Sequence, residues 1–109
     1  MKLQGNENLE TRTIKNFVDI LILKYLKIHP SVSGYQVLRH LHDTFNISFS
    51  PGTIYHEIYL LERKNLIKSE GDDNSRNYCL TDKGKEALVA TYRSSAEIQE
   101  LVSAILSDD

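Results

Sequence analysis

The sequence predicts a mainly α-helical chain with one small β-hairpin. Three observations carry this. The segment from Ser50 to Asn65, S-P-G-T-I-Y-H-E-I-Y-L-L-E-R-K-N, has a helix start and stop written into it. A long apolar helix precedes it and must end at His29-Pro30, because proline disfavours helical geometry in the residue before it. Two short β-prone runs follow it, separated by a polar turn containing Gly71 and Asn74.

Size and charge bound what such a chain can do. With 109 residues it is one domain with a small core, a size at which dimerisation often adds stability. A formal net charge of −2 and a pI near 6.1 give no overall attraction to nucleic acid or to an anionic membrane. DNA binding needs only a local positive stripe, so it stays open. Cys79 is the only cysteine, which excludes an intramolecular disulfide and a cysteine-rich zinc site and fits a reducing, cytoplasmic compartment. The polar N-terminal stretch lacks the apolar core of a signal peptide, and the longest apolar run, Ile20 to Leu23, is too short to span a bilayer. No membrane partner is expected.

Residues 1–12 read as a flexible arm. A first helix follows over 13–28. Its apolar residues, including Ile14, Phe17, Val18 and Leu21, cover most of its circumference. Such a helix must be covered on more than one side, and in so small a chain a second subunit is the expected cover. A second helix starts at Ser33, where Ser33-Gly34-Tyr35-Gln36 is a capping-box pattern. Tyr35, Val37, Leu38 and Leu41 supply its apolar contacts, and it ends near Thr44. Phe45 to Phe49 form a short extended linker.

The third helix is the one on which the prediction rests. Ser50 is a good N-cap, Pro51 suits the first helical position, and Asn65 tolerates the left-handed geometry of a C-terminal cap. Ile54, Ile58 and Leu61 make one apolar face. At about 100° per residue, Gly52, His56, Tyr59 and Arg63 then point outward, with Thr53 and Tyr55 on the flanks. A glycine, several rings, a hydroxyl and a cation suit a surface that another molecule reads.

Residues 66–70 and 76–80 form the hairpin strands. Thr81 caps a last helix from Asp82 to about Ser107, with Asp82 favourably placed at its positive end. Leu88, Tyr92, Ser95, Ile98, Val102 and Ile105 alternate in steps of four and three, a narrow seam of the coiled-coil kind. The expected dimer interface therefore joins Ile14, Phe17, Val18 and Leu21 with Leu88, Tyr92, Ile98, Val102 and Ile105. Three helices and a two-stranded hairpin make a winged helix-turn-helix over 13–80, and 81–109 form a C-terminal dimerisation helix.

At this point the chain resembles the PadR family of winged-helix transcriptional regulators. The resemblance rests on S-P-G-T-I-Y (Ser50 to Tyr55), L-E-x-x-N-L-I (Leu61 to Ile67), R-x-Y-x-L-T-D-K-G (Arg76 to Gly84) and S-G-Y-Q-V-L (Ser33 to Leu38). It implies a homodimeric repressor that binds double-stranded DNA and, in some members, is released by a small aromatic or drug-like effector. The third helix would then enter the major groove by its N-terminal end, with Gly52 allowing close approach. Ser50, Thr53 and Tyr55 would donate to phosphates or base edges, and His56 and Tyr59 would reach bases. Arg63, Lys64, Lys68 and Arg76 would hold the duplex backbone.

This chain departs from the family pattern in places. It carries Leu60 where a basic residue is common and Asn65 where a glycine is common. The acidic pair Asp72-Asp73 beside Arg76 opposes phosphate contact by the wing. The chain has no tryptophan, which compact drug-binding members use at the dimer interface, so nothing in the sequence supports an effector. Several residues have plainer roles open to them. Tyr55 can pack on Leu60 or the hairpin, His56 can simply be solvated, and Arg76 can pair with Asp72 or Asp73.

No enzyme is expected, and no cofactor or metal site. His40 and His42 do not share a helix face, and no paired-cysteine motif or phosphate loop is present. Cys79 reads as an inert buried thiol. The alternative class is a winged helix used for protein–protein contact, which the net negative charge favours.

Overall fold

The computed structural model describes residues 8–72 and 75–108. Most of the expected N-terminal arm lies outside them, as do Asp73 and Asn74 of the hairpin turn. The core is built around helix α2 (Val18–Ile28), whose Val18, Ile22, Leu23 and Leu26 are all buried. Helix α3 (Gly34–Phe45) adds Val37 and Leu41, and helix α4 (Pro51–Arg63) adds Ile54, Ile58 and Leu61. Ile67 and Tyr78 of the hairpin and Leu88 of helix α5 (Asp82–Arg93) close it.

The first helix is two helices. Helix α1 (Leu9–Asn16) begins four residues earlier than the composition suggested, so residues 9–12 are helix and not arm. Asn8 is the cause: its Oδ1 accepts from the Thr11 N–H at 2.7 Å. The helix breaks at Phe17, whose φ of −108° and ψ of 18° are not helical. Its N–H turns back to the Ile14 carbonyl at 3.1 Å. Helix α2 restarts with Asp19 in its first turn, where the carboxylate accepts from the Ile20 N–H at 2.8 Å.

The capping box at α3 is present in full, with Gln36 N–H donating to Ser33 Oγ at 3.1 Å and Ser33 N–H to Gln36 Oε1 at 2.8 Å. The helix runs to Phe45, which packs against the core, and ends on Asn46 in the left-handed region. Tyr35 is 61% exposed and supplies no core contact, because it lies some 200° round the helix from Val37.

The hairpin strands are β2 (Ile67–Glu70) and β3 (Asn77–Leu80), each slightly shorter than expected. A third strand was not legible. Strand β1 (Val32–Ser33) pairs antiparallel with β3, giving the order β1-β3-β2 with Val32 opposite Tyr78 and Ser69 opposite Tyr78 on the other side. The C-terminal helix also breaks, at Ser94, into α5 and α6 (Ser95–Ile105). Helix α6 buries none of its residues, and the molecule is elongated, 52 × 32 × 21 Å.

Tyr25 of α2 lies between two imidazoles, its ring centroid 4.0 Å from His40 and 4.6 Å from His29. Burial pushes the His40 pKa down, His29 adds to this, and Asp43 opposes it. A lowered histidine pKa means that the unfolded chain binds more protons, so this contribution to stability is present at neutral pH and is lost on acidification. Denaturant midpoints should fall between about pH 7 and pH 5, and His40→Gln should flatten that dependence. An unchanged slope in the variant would assign the dependence elsewhere. Separately, Leu88→Ala should cost about 2–5 kcal/mol in equilibrium unfolding because it opens the monomer's core. Val89→Ala, on the exposed side of the same helix, should cost under about 1 kcal/mol.

Candidate nucleic-acid interface

Helix α4 is held so that one side must face outward. Its apolar face is keyed into the core by Ile54 (0% exposed), Ile58 and Leu61. Gly52, His56, Tyr59 and Arg63 fall at i, i+4, i+7 and i+11 on the opposite side, and all four are exposed, as are Thr53 and Tyr55. Ser50 caps the start, its Oγ accepting from the Thr53 N–H at 3.4 Å, and Pro51 occupies the first turn. Pro51 carries no N–H, and the Thr53 and Ile54 N–H groups donate to Ser50, so Gly52 N–H is the first-turn donor left for another acceptor.

Two local contacts organise the exposed side chains. Arg63 donates from Nη1 to the Tyr59 hydroxyl at 2.9 Å, and its guanidinium carbon lies 5.7 Å from the Tyr59 ring centroid. The pair pre-sets a cation while leaving the remaining guanidinium donors and the phenol proton outward. Tyr55 finds a packing partner that the sequence did not suggest. Its ring lies against Gly34, where an added Cβ would overlap Tyr55 Cε1. Gly34 is thus a close-approach glycine that lets the start of α3 abut the start of α4. The Tyr55 ring is braced while the side chain stays 46% exposed.

Lys64 and Lys68 are exposed at the far end of α4 and on β2, and Arg76 is exposed just before β3. Glu62, beside Arg63, is engaged: its Oε2 accepts from Ser69 Oγ at 2.7 Å, which ties α4 to the hairpin. In the hairpin turn Asp72 is also used internally, accepting from the Ser75 N–H and hydroxyl at 3.0 Å each. Cys79 sits opposite Lys68 and is half-buried, not fully buried as expected. Burial and Glu70 push its thiol pKa up, which outweighs Lys68. Among the described residues no group of three His, Cys, Asp or Glu side chains could hold a metal ion.

The expected dimer residues divide. Val18 (3% exposed) and Leu88 (1% exposed) belong to the monomer's own core and cannot meet a partner. The expected seam ran along one helix, which the break at Ser94 interrupts, and periodicity does not distinguish a face turned inward from one that meets a second chain. Ile14, Phe17, Leu21, Tyr92 and Ile98 instead line a groove of about 360 Å³ between α1/α2 and α5/α6. Val102 and Ile105 lie beyond it on α6, exposed, together with Leu101 and Leu106, which the step of four and three passed over.

Helices α2, α3 and α4 with a short sheet, and one face of α4 left exposed, define a winged-helix protein. A family model described as the transcriptional regulator PadR-like family matches residues 22–90, and the chain belongs to that family. It is a transcriptional regulator and not an enzyme. Among solved structures, a PadR family transcription regulator from Clostridium difficile is 27% identical with a TM-score of 0.69, covering 84% of this chain and 99% of its own. A PadR family regulator from Eggerthella lenta is 21% identical with a TM-score of 0.75, covering 93% and 91%. A PadR-like transcription factor from Bacteroides fragilis is 22% identical with a TM-score of 0.69, covering 91% and 99%; these last two speak to the fold alone. A comparison with curated proteins gave no match. No helix among the described residues is long and apolar enough to cross a membrane.

The Gly34–Tyr55 contact is testable by a double-mutant cycle. Gly34→Ala should destabilise the fold by about 1–3 kcal/mol through overpacking. That cost should shrink by about 1 kcal/mol or more in a Tyr55→Ala background. Additive costs would mean that the two residues do not meet.

Proposed function

We propose that this chain is a homodimeric, sequence-specific DNA-binding regulator that represses by covering promoter DNA, with α4 as the reading element. The observation that carries the reading is the exposed stripe Gly52, His56, Tyr59 and Arg63 on a helix whose opposite face is fixed in the core. An α-helix fits the major groove, roughly 12 Å wide. The N-terminal end of α4 leads, because Gly52 has no side chain to hold the backbone off and the positive end of the helix dipole favours a phosphate. Ser50, Thr53 and Tyr55 contact phosphates or base edges there. His56 and Tyr59 reach bases further in. Arg63, Lys64, Lys68 and Arg76 contact the duplex backbone on either side.

Two apolar features outside α4 support dimerisation. Leu101, Val102, Ile105 and Leu106 form an apolar ridge on α6, exposed by 62%, 38%, 69% and 64%. The apolar groove lined by Phe17, Leu21, Tyr92 and Ile98 lies on the same chain. A ridge and a groove on one chain suit a two-fold, self-complementary contact. Two copies would then present two α4 helices to half-sites about one helical turn apart.

Binding of the full chain to its own upstream duplex, compared with a scrambled duplex over a salt series, tests this. The upstream duplex should bind at least about tenfold more tightly, with log K falling against log salt at a slope between about −4 and −7. Lys68→Ala should reduce the slope by about 2 per dimer and weaken all sequences alike, whereas Thr53→Val should weaken them unequally. Absence of binding to either duplex at low salt would favour the protein-interaction reading. For the dimer, Ile105→Glu with Leu101→Glu should give a folded monomer in sedimentation equilibrium.

A further inference from the structure

The carbonyls that follow α4 are all taken by the start of α5. Helix α4 ends in a Schellman arrangement: Asn65 is left-handed at φ 63°, Leu66 N–H reaches the Leu61 carbonyl at 3.0 Å, and Asn65 N–H reaches that of Glu62 at 3.0 Å. The next three carbonyls point away from the helix. Lys83 Nζ donates to Lys64 O at 2.9 Å, Thr81 Oγ1 to Asn65 O at 2.7 Å, and Thr81 N–H to Leu66 O at 3.1 Å. The same Thr81 hydroxyl accepts from Gly84 N–H at 3.0 Å, so it caps α5 while gripping the end of α4. Gly84 is buried against this segment, and a Cβ there would overlap the Leu66 carbonyl oxygen.

We propose that this clasp is a positioning device: Thr81, Lys83 and Gly84 fix the angle between the reading helix α4 and the dimer-forming α5/α6 arm, and so set which half-site spacing the dimer accepts. The physical reason is leverage. Leu88 anchors α5 in the core one turn further on, and α5 also packs along α2. What ties α5 directly to the end of α4 is the clasp: three bonds to consecutive carbonyls, plus a glycine contact too close for any other residue. A change of angle at the clasp would swing α4 of each copy relative to the two-fold axis without altering the face that α4 presents. Affinity for one half-site and preference for spacing are therefore separable, and Thr81, Lys83 and Gly84 act on the second alone.

This inference rests on the DNA-reading dimer proposed above, and two measurements on the full chain keep the two apart. The first needs no DNA. In amide hydrogen exchange, Lys83→Met and Thr81→Val should speed exchange at Asn65, Leu66 and Thr81 by about tenfold or more, with α3 unchanged. Unchanged exchange at those amides would overturn the clasp whatever the chain binds. The second uses duplexes selected from a random pool by the wild-type chain, rebuilt as a single half-site and as paired half-sites with 1 or 2 bp inserted between them. Wild type should prefer the selected spacing by about tenfold, and the variants should lose most of that preference while binding the single half-site within about twofold. Equal loss on both probes, or retained spacing preference, would overturn the positioning role. Failure of the wild-type chain to select any duplex would overturn the DNA-reading proposal and, with it, the spacing role, leaving exchange to judge the clasp as a structural contact.

Discussion

The arrangement depends on one constraint, the rotational phase of α4. Burying Ile54, Ile58 and Leu61 contributes roughly 1.5–3 kcal/mol for each side chain. Exposed polar pairs such as Arg63–Tyr59 contribute about 1 kcal/mol or less. The core therefore decides which way α4 faces, and the outward residues are left to be chosen for what they touch. Its neighbours hold α4 in that phase. Helix α2 supplies the surface it packs on, Gly34 lets α3 close against its first turn, and Ser69 ties its Glu62 to the hairpin.

The two ends of the molecule obey opposite rules. On α4 the aliphatic face of Ile54, Ile58 and Leu61 is buried, and no buried side-chain N or O among the described residues lacks a partner. Along α6 the balance reverses, with Leu101, Ile105 and Leu106 each more than 60% exposed and no residue buried. A monomeric domain rarely carries such a patch without a use for it. In the dimer proposed above, the outer helix and the groove beside it would be halves of one contact.

Much of this was legible in the sequence because it is written locally. The caps at Ser33, Ser50 and Thr81 and the left-handed Asn65 each depend on residues within a turn of one another, and each appears where the pattern put it. The start of α1 was legible in principle, since Asn8 precedes an apolar residue and an acid in the first turn. The breaks at Phe17 and Ser94 carry no proline or glycine and could not be read from composition. Strand β1 has two residues and exists only because β3 offers an edge, so it has no local signal. The Tyr55–Gly34 contact joins separate elements, and the sequence named both residues without showing that they meet. Val18 and Leu88 show the limit of periodicity. A helical repeat marks an apolar face but says nothing about whose atoms cover it, and both side chains went to the monomer's own core.

The account assigns the two exposed surfaces to different partners, and site-specific photo-crosslinking tests both at once. A benzophenone side chain would be placed at His56 on α4 or at Leu101 on α6 of the full chain, and the protein irradiated with its upstream duplex. The account predicts crosslinks from position 56 to DNA and from position 101 to a second copy of the chain. Crosslinks from position 101 to DNA, or from position 56 to protein alone, would contradict it.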